Sequence, residues 1–189
     1  MQLSDLMVSD RDEFQDGGNR RGVNTASWEG GDIVRGYGGW MDYSFFYLDV
    51  WNPVSDDPLR PSESTFTSVY SIGNASGSNP LSGSATWTGV MAGIDENEDA
   101  TTFGNLVTGN ATVTIDNFST PRVGVALSSI SDVATGKSHA DIAWSGLSLN
   151  SGAFSASGLS GLFYGPNHEE VGGIFLRNQI SGAFGAARQ

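Results

Sequence analysis

Glycine and aromatic residues interleave through the end of this chain, and that pattern restricts the fold more than any other stretch. It runs from Gly161-Leu-Phe-Tyr-Gly-Pro166 through Glu170-Val-Gly-Gly-Ile-Phe175 to Gly182-Ala-Phe-Gly-Ala-Ala-Arg188. The spacing predicts two β-strands joined by a tight turn at Gly165-Pro166, then a last strand that ends the domain. Pro166 fixes its own φ, and Gly165 accepts the conformation required of a residue before proline. Phe163, Val171, Phe175 and Phe184 offer large apolar side chains to a core. Gly161, Gly172, Gly173, Gly182 and Gly185 remove bulk where strands bend or approach closely. The mixture suits a small closed barrel.

The same reading extends upstream. Trp40 to Trp51 and Phe66 to Ile72 are rich in aromatic and β-branched residues. Ser84 to Ile94 places Ala85, Trp87, Gly89 and Met91 at strict alternation, and Ala111 to Phe118 alternates Ala111, Val113 and Ile115 against Thr112, Thr114 and Asp116. Val123 to Ile130, Ile142 to Leu149 and Phe154 to Ala156 continue the pattern. Turn-forming stretches separate them: Asn74 to Pro80, Asp95 to Asp99, Ser119 to Pro121 and Gly136 to Ser138. Short strands at this spacing, without helical segments between them, predict an all-β fold, an antiparallel barrel of about eight strands. The 26 glycines favour a tightly bent barrel over a flat sandwich. Residues 1–22 are polar and weakly periodic; Leu3, Leu6, Met7 and Phe14 have roughly helical spacing. They are expected to form a short flexible or partly helical N-terminal extension, with the barrel domain over residues 23–189.

With 189 residues the chain has room for one domain with a real core. It contains no cysteine, which excludes disulfides, thiol chemistry and a lipid-bearing cysteine within this sequence. A net charge of -12 argues against nucleic acid and anionic membrane surfaces as partners and favours solubility; it reads either as an acidic solvent-exposed surface or as one suited to a basic partner. No apolar run is long enough for a transmembrane helix, and no signal-peptide pattern opens the sequence. A monomer is expected.

The motifs of common catalytic machinery are missing. There is no Gly-x-Ser-x-Gly elbow, no His-Glu-x-x-His zinc arrangement and no phosphate-binding glycine loop. Gly36-Tyr-Gly-Gly-Trp-Met41 fails the dinucleotide fingerprint at its last position. Glu169 and Glu170 point to opposite faces of a strand and form no ready acid–base pair; at a turn they read as solvated carboxylates. His168, in the turn Gly165 to Glu170, reads either as a plain turn residue or as a surface imidazole able to ligate haem iron or another metal. His139 is the second choice for that role, and Phe163, Tyr164 and Val171 would supply the apolar wall. The acidic loop Asp95 to Asp99 carries oxygen ligands for calcium but lacks the central glycine and distal glutamate of a calcium-binding loop. Trp40, Tyr43, Phe45, Phe46, Tyr47 and Trp51 alternate imperfectly, so part of the cluster must face outward, where it would form a protein-binding patch.

Phe163-Tyr-Gly-Pro166, Glu170-Val-Gly-Gly173 with Phe175, and Gly182-Ala-Phe-Gly-Ala186 with Arg188 resemble, in order, the close of the β-barrel domain of the transferrin-binding protein B family of bacterial surface proteins. Gly83-Ser-Ala-Thr-Trp-Thr-Gly89, Ala111 to Phe118, and Ile142-Ala-Trp144 with Gly152-Ala-Phe154 are similar to barrel strands of that family. The resemblance spans roughly residues 37–189. It implies a barrel of a surface-exposed or secreted, lipoprotein-type protein of a Gram-negative outer membrane. It also implies capture of an iron source, through a protein or haem-type ligand, beside an outer-membrane transporter. The chain departs from the family in having one barrel and no long lysine-rich loops, so no receptor contact residue is carried over. The resulting expectation is a non-catalytic binding module with no cofactor, haem excepted, and with His168, His139 and Tyr164 as candidate ligand-binding residues. The alternatives are a structural or adhesion barrel of a larger surface protein, and a small-ligand or hydrolytic barrel with its site in the mouth.

Overall fold

The computed structural model describes residues 13–30, 33–51, 66–80, 84–96, 105–116 and 121–189, and every regular element among them is a β-strand. The strands are β1 (Glu13–Arg20), β2 (Val23–Gly30), β3 (Ile33–Trp40), β4 (Ser44–Trp51), β5 (Phe66–Gly73), β6 (Ala85–Asp95) and β7 (Asn105–Ile115). They continue with β8 (Arg122–Asp132), β9 (Ile142–Ser148), β10 (Ala153–Ala156), β11 (Leu159–Tyr164), β12 (Glu170–Arg177) and β13 (Ile180–Arg188). β1 to β5 form one five-stranded sheet in sequence order, and the other strands form an eight-stranded sheet in the order β10-β11-β12-β13-β6-β7-β8-β9.

The eight-stranded sheet curls into a nearly closed antiparallel barrel. Its two end strands, β9 and β10, lie side by side, and side chains bridge the seam in place of a ladder. The Trp144 indole N–H donates to the Ser157 carbonyl at 3.2 Å, and Arg177 donates to the Ala143 carbonyl at 3.0 Å. The Arg177 guanidinium also lies 5.1 Å from the centre of the Trp144 ring, a cation–π contact across the seam.

The barrel and its last strand agree with the sequence reading, but the five-stranded sheet corrects it. Trp40–Trp51 and Phe66–Ile72, expected as barrel strands, belong to β3, β4 and β5 of the separate sheet. Glu13–Arg20, within the segment expected to be flexible or partly helical, is β1, paired with β2 across the Arg21-Gly22 turn. Of the residues with roughly helical spacing only Phe14 lies in β1, where the ladder with β2 satisfies the backbone. Residues 1–12 lie outside the described residues.

Two apolar cores explain why both sheets hold together. Inside the barrel, Trp87, Met91, Val113, Leu127, Phe154, Phe163, Phe175 and Phe184 pack in one cluster. Between the barrel and the five-stranded sheet, Tyr37, Phe46, Leu48 and Val50 pack against Val90, Ala92, Ile94 and Ala183 on the outer face of β6 and β13. Those two strands are therefore buried on both faces through most of their length, as their near-continuous run of apolar and glycine residues requires. The glycines of the tail supply room for rings. A Cβ at Gly173 would stand 2.8 Å from the Phe184 ring, one at Gly182 2.7 Å from Phe175, and one at Gly185 2.7 Å from Phe46 of β4.

Candidate functional site

The junction between the sheets is built from polar groups that the sequence reading placed elsewhere. Glu170, at the start of β12, is buried rather than solvated. Both its oxygens accept the Tyr43 N–H, at 3.0 and 3.1 Å, and one accepts the Ser44 hydroxyl at 2.7 Å. The β3–β4 turn is thereby tied to the barrel. Its neighbour Glu169 turns outward as the alternation of a strand predicts, and takes the Asn167 N–H and side-chain amide at 2.9 and 2.7 Å. Desolvation is the largest single effect and raises the Glu169 pKa, but the hydrogen bonds from Asn167 and from its own backbone, with the nearby imidazole of His168, together outweigh it and hold the carboxyl below the ordinary range. One turn residue explains the sharp approach: Gly165 sits at φ +80, beside the Tyr43 ring.

His168 is 8% exposed, not a surface imidazole. Its Nε2 lies 2.9 Å from the Ser78 carbonyl, which can only accept, so Nε2 carries the proton. Its own carbonyl accepts the Trp87 indole N–H at 2.8 Å, and its ring meets Phe163 edge-on. Tyr164 is likewise buried, facing away from the barrel interior, with its hydroxyl 3.1 Å from Ser71 of β5. Burial pushes the Tyr164 phenol pKa up, and the Ser71 bond offsets part of that shift. His139 is far from both. Its Nδ1 is 3.9 Å from Asp95 at the other end of β6, and its Nε2 is buried without a hydrogen-bond partner among the described residues. Trp87 and Asp95 are eight positions apart on one strand, about 26 Å at strand rise, so His168 and His139 belong to opposite ends of the barrel and do not converge. Of the acidic loop weighed as a calcium site, Asp95 is buried at the end of β6, and residues 97–99 lie outside the described residues. Among the described residues no three His, Asp or Glu side chains come together as a metal site.

The aromatic cluster divides as strand alternation dictates. Phe46 is fully buried in the inter-sheet core, while Phe45 and Tyr47 lie on the outer face of β4. Tyr47 stacks on Tyr70 of β5 at 4.7 Å and lies 6.1 Å from Phe45, and the register sets Phe45 opposite Ile72. Tyr70 is 42% and Ile72 47% exposed, which leaves an aromatic row across the outside of the sheet. At the β5 edge this face meets an open cleft of about 380 Å³ between β5 and β10–β12. Tyr164 was singled out from the sequence and lines this cleft. The cleft itself was not legible, because it arises from two sheets meeting rather than from any one motif.

No protein-family model and no curated protein sequence matches the chain. Solved structures do. A surface lipoprotein crystal structure shares 17% identity, with a TM-score of 0.53, over 79% of this chain and 77% of that one. The N-lobe domain of lactoferrin binding protein B of Moraxella bovis shares 12% identity, with a TM-score of 0.51, over 99% of this chain and 82% of that one. At such identities the likeness is one of fold alone, and it assigns the chain to no family.

Proposed function

We propose that this protein is a non-catalytic binding module displayed on a bacterial surface, and that the outer face of its five-stranded sheet receives a protein ligand. The observation that carries the reading is the aligned row Phe45, Tyr47, Tyr70 and Ile72. An ordinary outer sheet face alternates to polar side chains, whereas this one presents stacked rings. Aromatic side chains combine large apolar area with little conformational freedom to lose, so they dominate binding energy at protein interfaces. The net charge of -12 favours a basic partner surface.

The lipoprotein-type fold supports surface display, and the lactoferrin-binding neighbour supports capture of an iron source as the purpose. Within that reading, haem ligation is the alternative to a protein ligand. His168 would have to release the Ser78 carbonyl to offer Nε2, whereas the His139 Nε2 has no bond to lose among the described residues but would have to be uncovered. The test is to immobilise the chain and titrate lactoferrin, transferrin and haemin. Binding of a carrier protein that Phe45→Ala and Tyr47→Ala each weaken about tenfold supports the outer face. A Soret shift lost in His139→Ala or His168→Ala supports haem. No binding of any of the three refutes iron-source capture, and binding indifferent to both aromatic substitutions refutes the outer face.

A further inference from the structure

We propose that the free edge of β5, with the cleft beside it, takes up an extended, uncharged peptide strand of another protein by strand addition. This goes beyond the outer-face reading, because it uses the backbone edge and the cleft and not the face of the sheet.

The sheet has two edges, and they differ. β1 carries Glu13, Asp16 and Arg20 in its sequence and has a register shift between Asp16 and Gly18. Charges and bulges are the usual means of blocking an edge against further pairing. β5 has neither. Its sequence Phe-Thr-Ser-Val-Tyr-Ser-Ile-Gly contains no charge and no proline, and its pairing with β4 runs from Phe66 to Gly73 without a shift. The ends of the other sheet, β9 and β10, lie against each other and are bridged by side chains. Among the described residues, β5 is thus the uncharged edge without a bulge; just past it Ala75 bridges Tyr164 of β11, so the open stretch is confined to 66–73. Among the described residues, no strand pairs with the outer side of 66–73.

The chemistry of the cleft states what fits. Backbone N–H and C=O groups along an open edge are satisfied by another extended backbone, which lies about 4.8 Å away. The walls are Val69 and Ser71 of β5 and, across from them, Leu162 and Ile174 on the outer face of the barrel; Gly172 lets the Ser71 hydroxyl come up against that wall. None of the described residues lining the cleft carries a charge at neutral pH. A charged side chain entering this cleft would lose water without gaining a partner, so an uncharged strand is selected in a protein whose surface is otherwise acidic. Alternate side chains of the incoming strand would meet Leu162 and Ile174, and the others would extend the row that begins with Tyr47 and Tyr70. The recognised segment is therefore apolar or β-branched on both faces.

The test uses a phage-displayed library of linear ten-residue peptides panned against the full chain. Enriched peptides are then measured by fluorescence polarisation, and their footprint by hydrogen exchange. Support would be enrichment of uncharged peptides rich in β-branched and aromatic residues, slowed exchange in 66–73, and binding at least tenfold weaker in both Leu162→Lys and Ile174→Lys. These two side chains are partly exposed, so the variants should fold, and circular dichroism checks that they do. Phe45→Ala, on the outer face, should leave peptide affinity within threefold, which separates this proposal from the outer-face one. Four results would overturn it. They are no enrichment, affinity unchanged by both lysine variants, protection confined elsewhere, or self-association of the chain that protects 66–73 without peptide, which would assign the edge to a second copy.

Discussion

Glu170→Ala should loosen the five-stranded sheet from the barrel. The carboxylate is 4% exposed and accepts a backbone N–H of Tyr43 and the hydroxyl of Ser44, itself 5% exposed. Hydrogen bonds to a charged group contribute about 1.5–3 kcal/mol each, and the donors left behind in a buried junction lose their partner as well. Against this stands the recovered cost of holding a carboxylate out of water, so the net loss is about 3 kcal/mol. For a domain of this size each kcal/mol moves Tm by roughly 2–4 °C, which gives a fall of about 6–12 °C in calorimetry. Hydrogen exchange should locate the effect. Amides around Tyr43 and Ser44 should speed up while β7 and β8, away from the junction, stay protected. A cycle with Ser44→Ala should show coupling on the order of 1 kcal/mol, because the two groups share one bond. A Glu170→Ala protein that melted within about 2 °C of the parent, with unchanged exchange at Tyr43, would refute the view that this carboxylate ties the sheets.

Gly185→Val drives a Cβ into the Phe46 ring at 2.7 Å and should cost about 1–3 kcal/mol by overpacking, read as a lower midpoint in urea. Tyr164→Phe tests the alkaline limb. The folded-state phenol is raised above the ordinary 10.0, so its contribution is full below that pH and lost as pH rises through the folded value. The parent should destabilise more steeply than Tyr164→Phe in melts above about pH 10, and equal slopes would contradict the burial of this phenol. Deletion of Gly182–Gln189 removes most of a strand held between β12 and β6, so light scattering should show aggregation; a heat-stable monomer would be incompatible with the ladder order.

Much of the barrel was written in the sequence. The alternation through Trp87, Gly89 and Met91, the Gly165-Pro166 turn, and the paired rings and glycines of the tail each encode a local choice that the ladder then repeats. Strand period and turn chemistry act over a few residues, so they can be read without knowing what packs on what. The division into a barrel and a second sheet could not be read that way. β4 and β6 both look like strands; that one covers the outside of the other depends on Phe46 finding the gap at Gly185, a contact between residues far apart in the chain. Likewise, the sequence says that Glu169 and Glu170 point opposite ways, but only the docked β3–β4 turn makes Glu170 the buried one. His168 read as a surface residue because a turn histidine is usually wet, and it is the contact with Ser78, 90 positions away, that takes its ring out of water. The alternating face of a strand is a local property, whereas the surface that covers it is chosen by tertiary packing, and here that packing created both the polar junction and the open cleft beside β5.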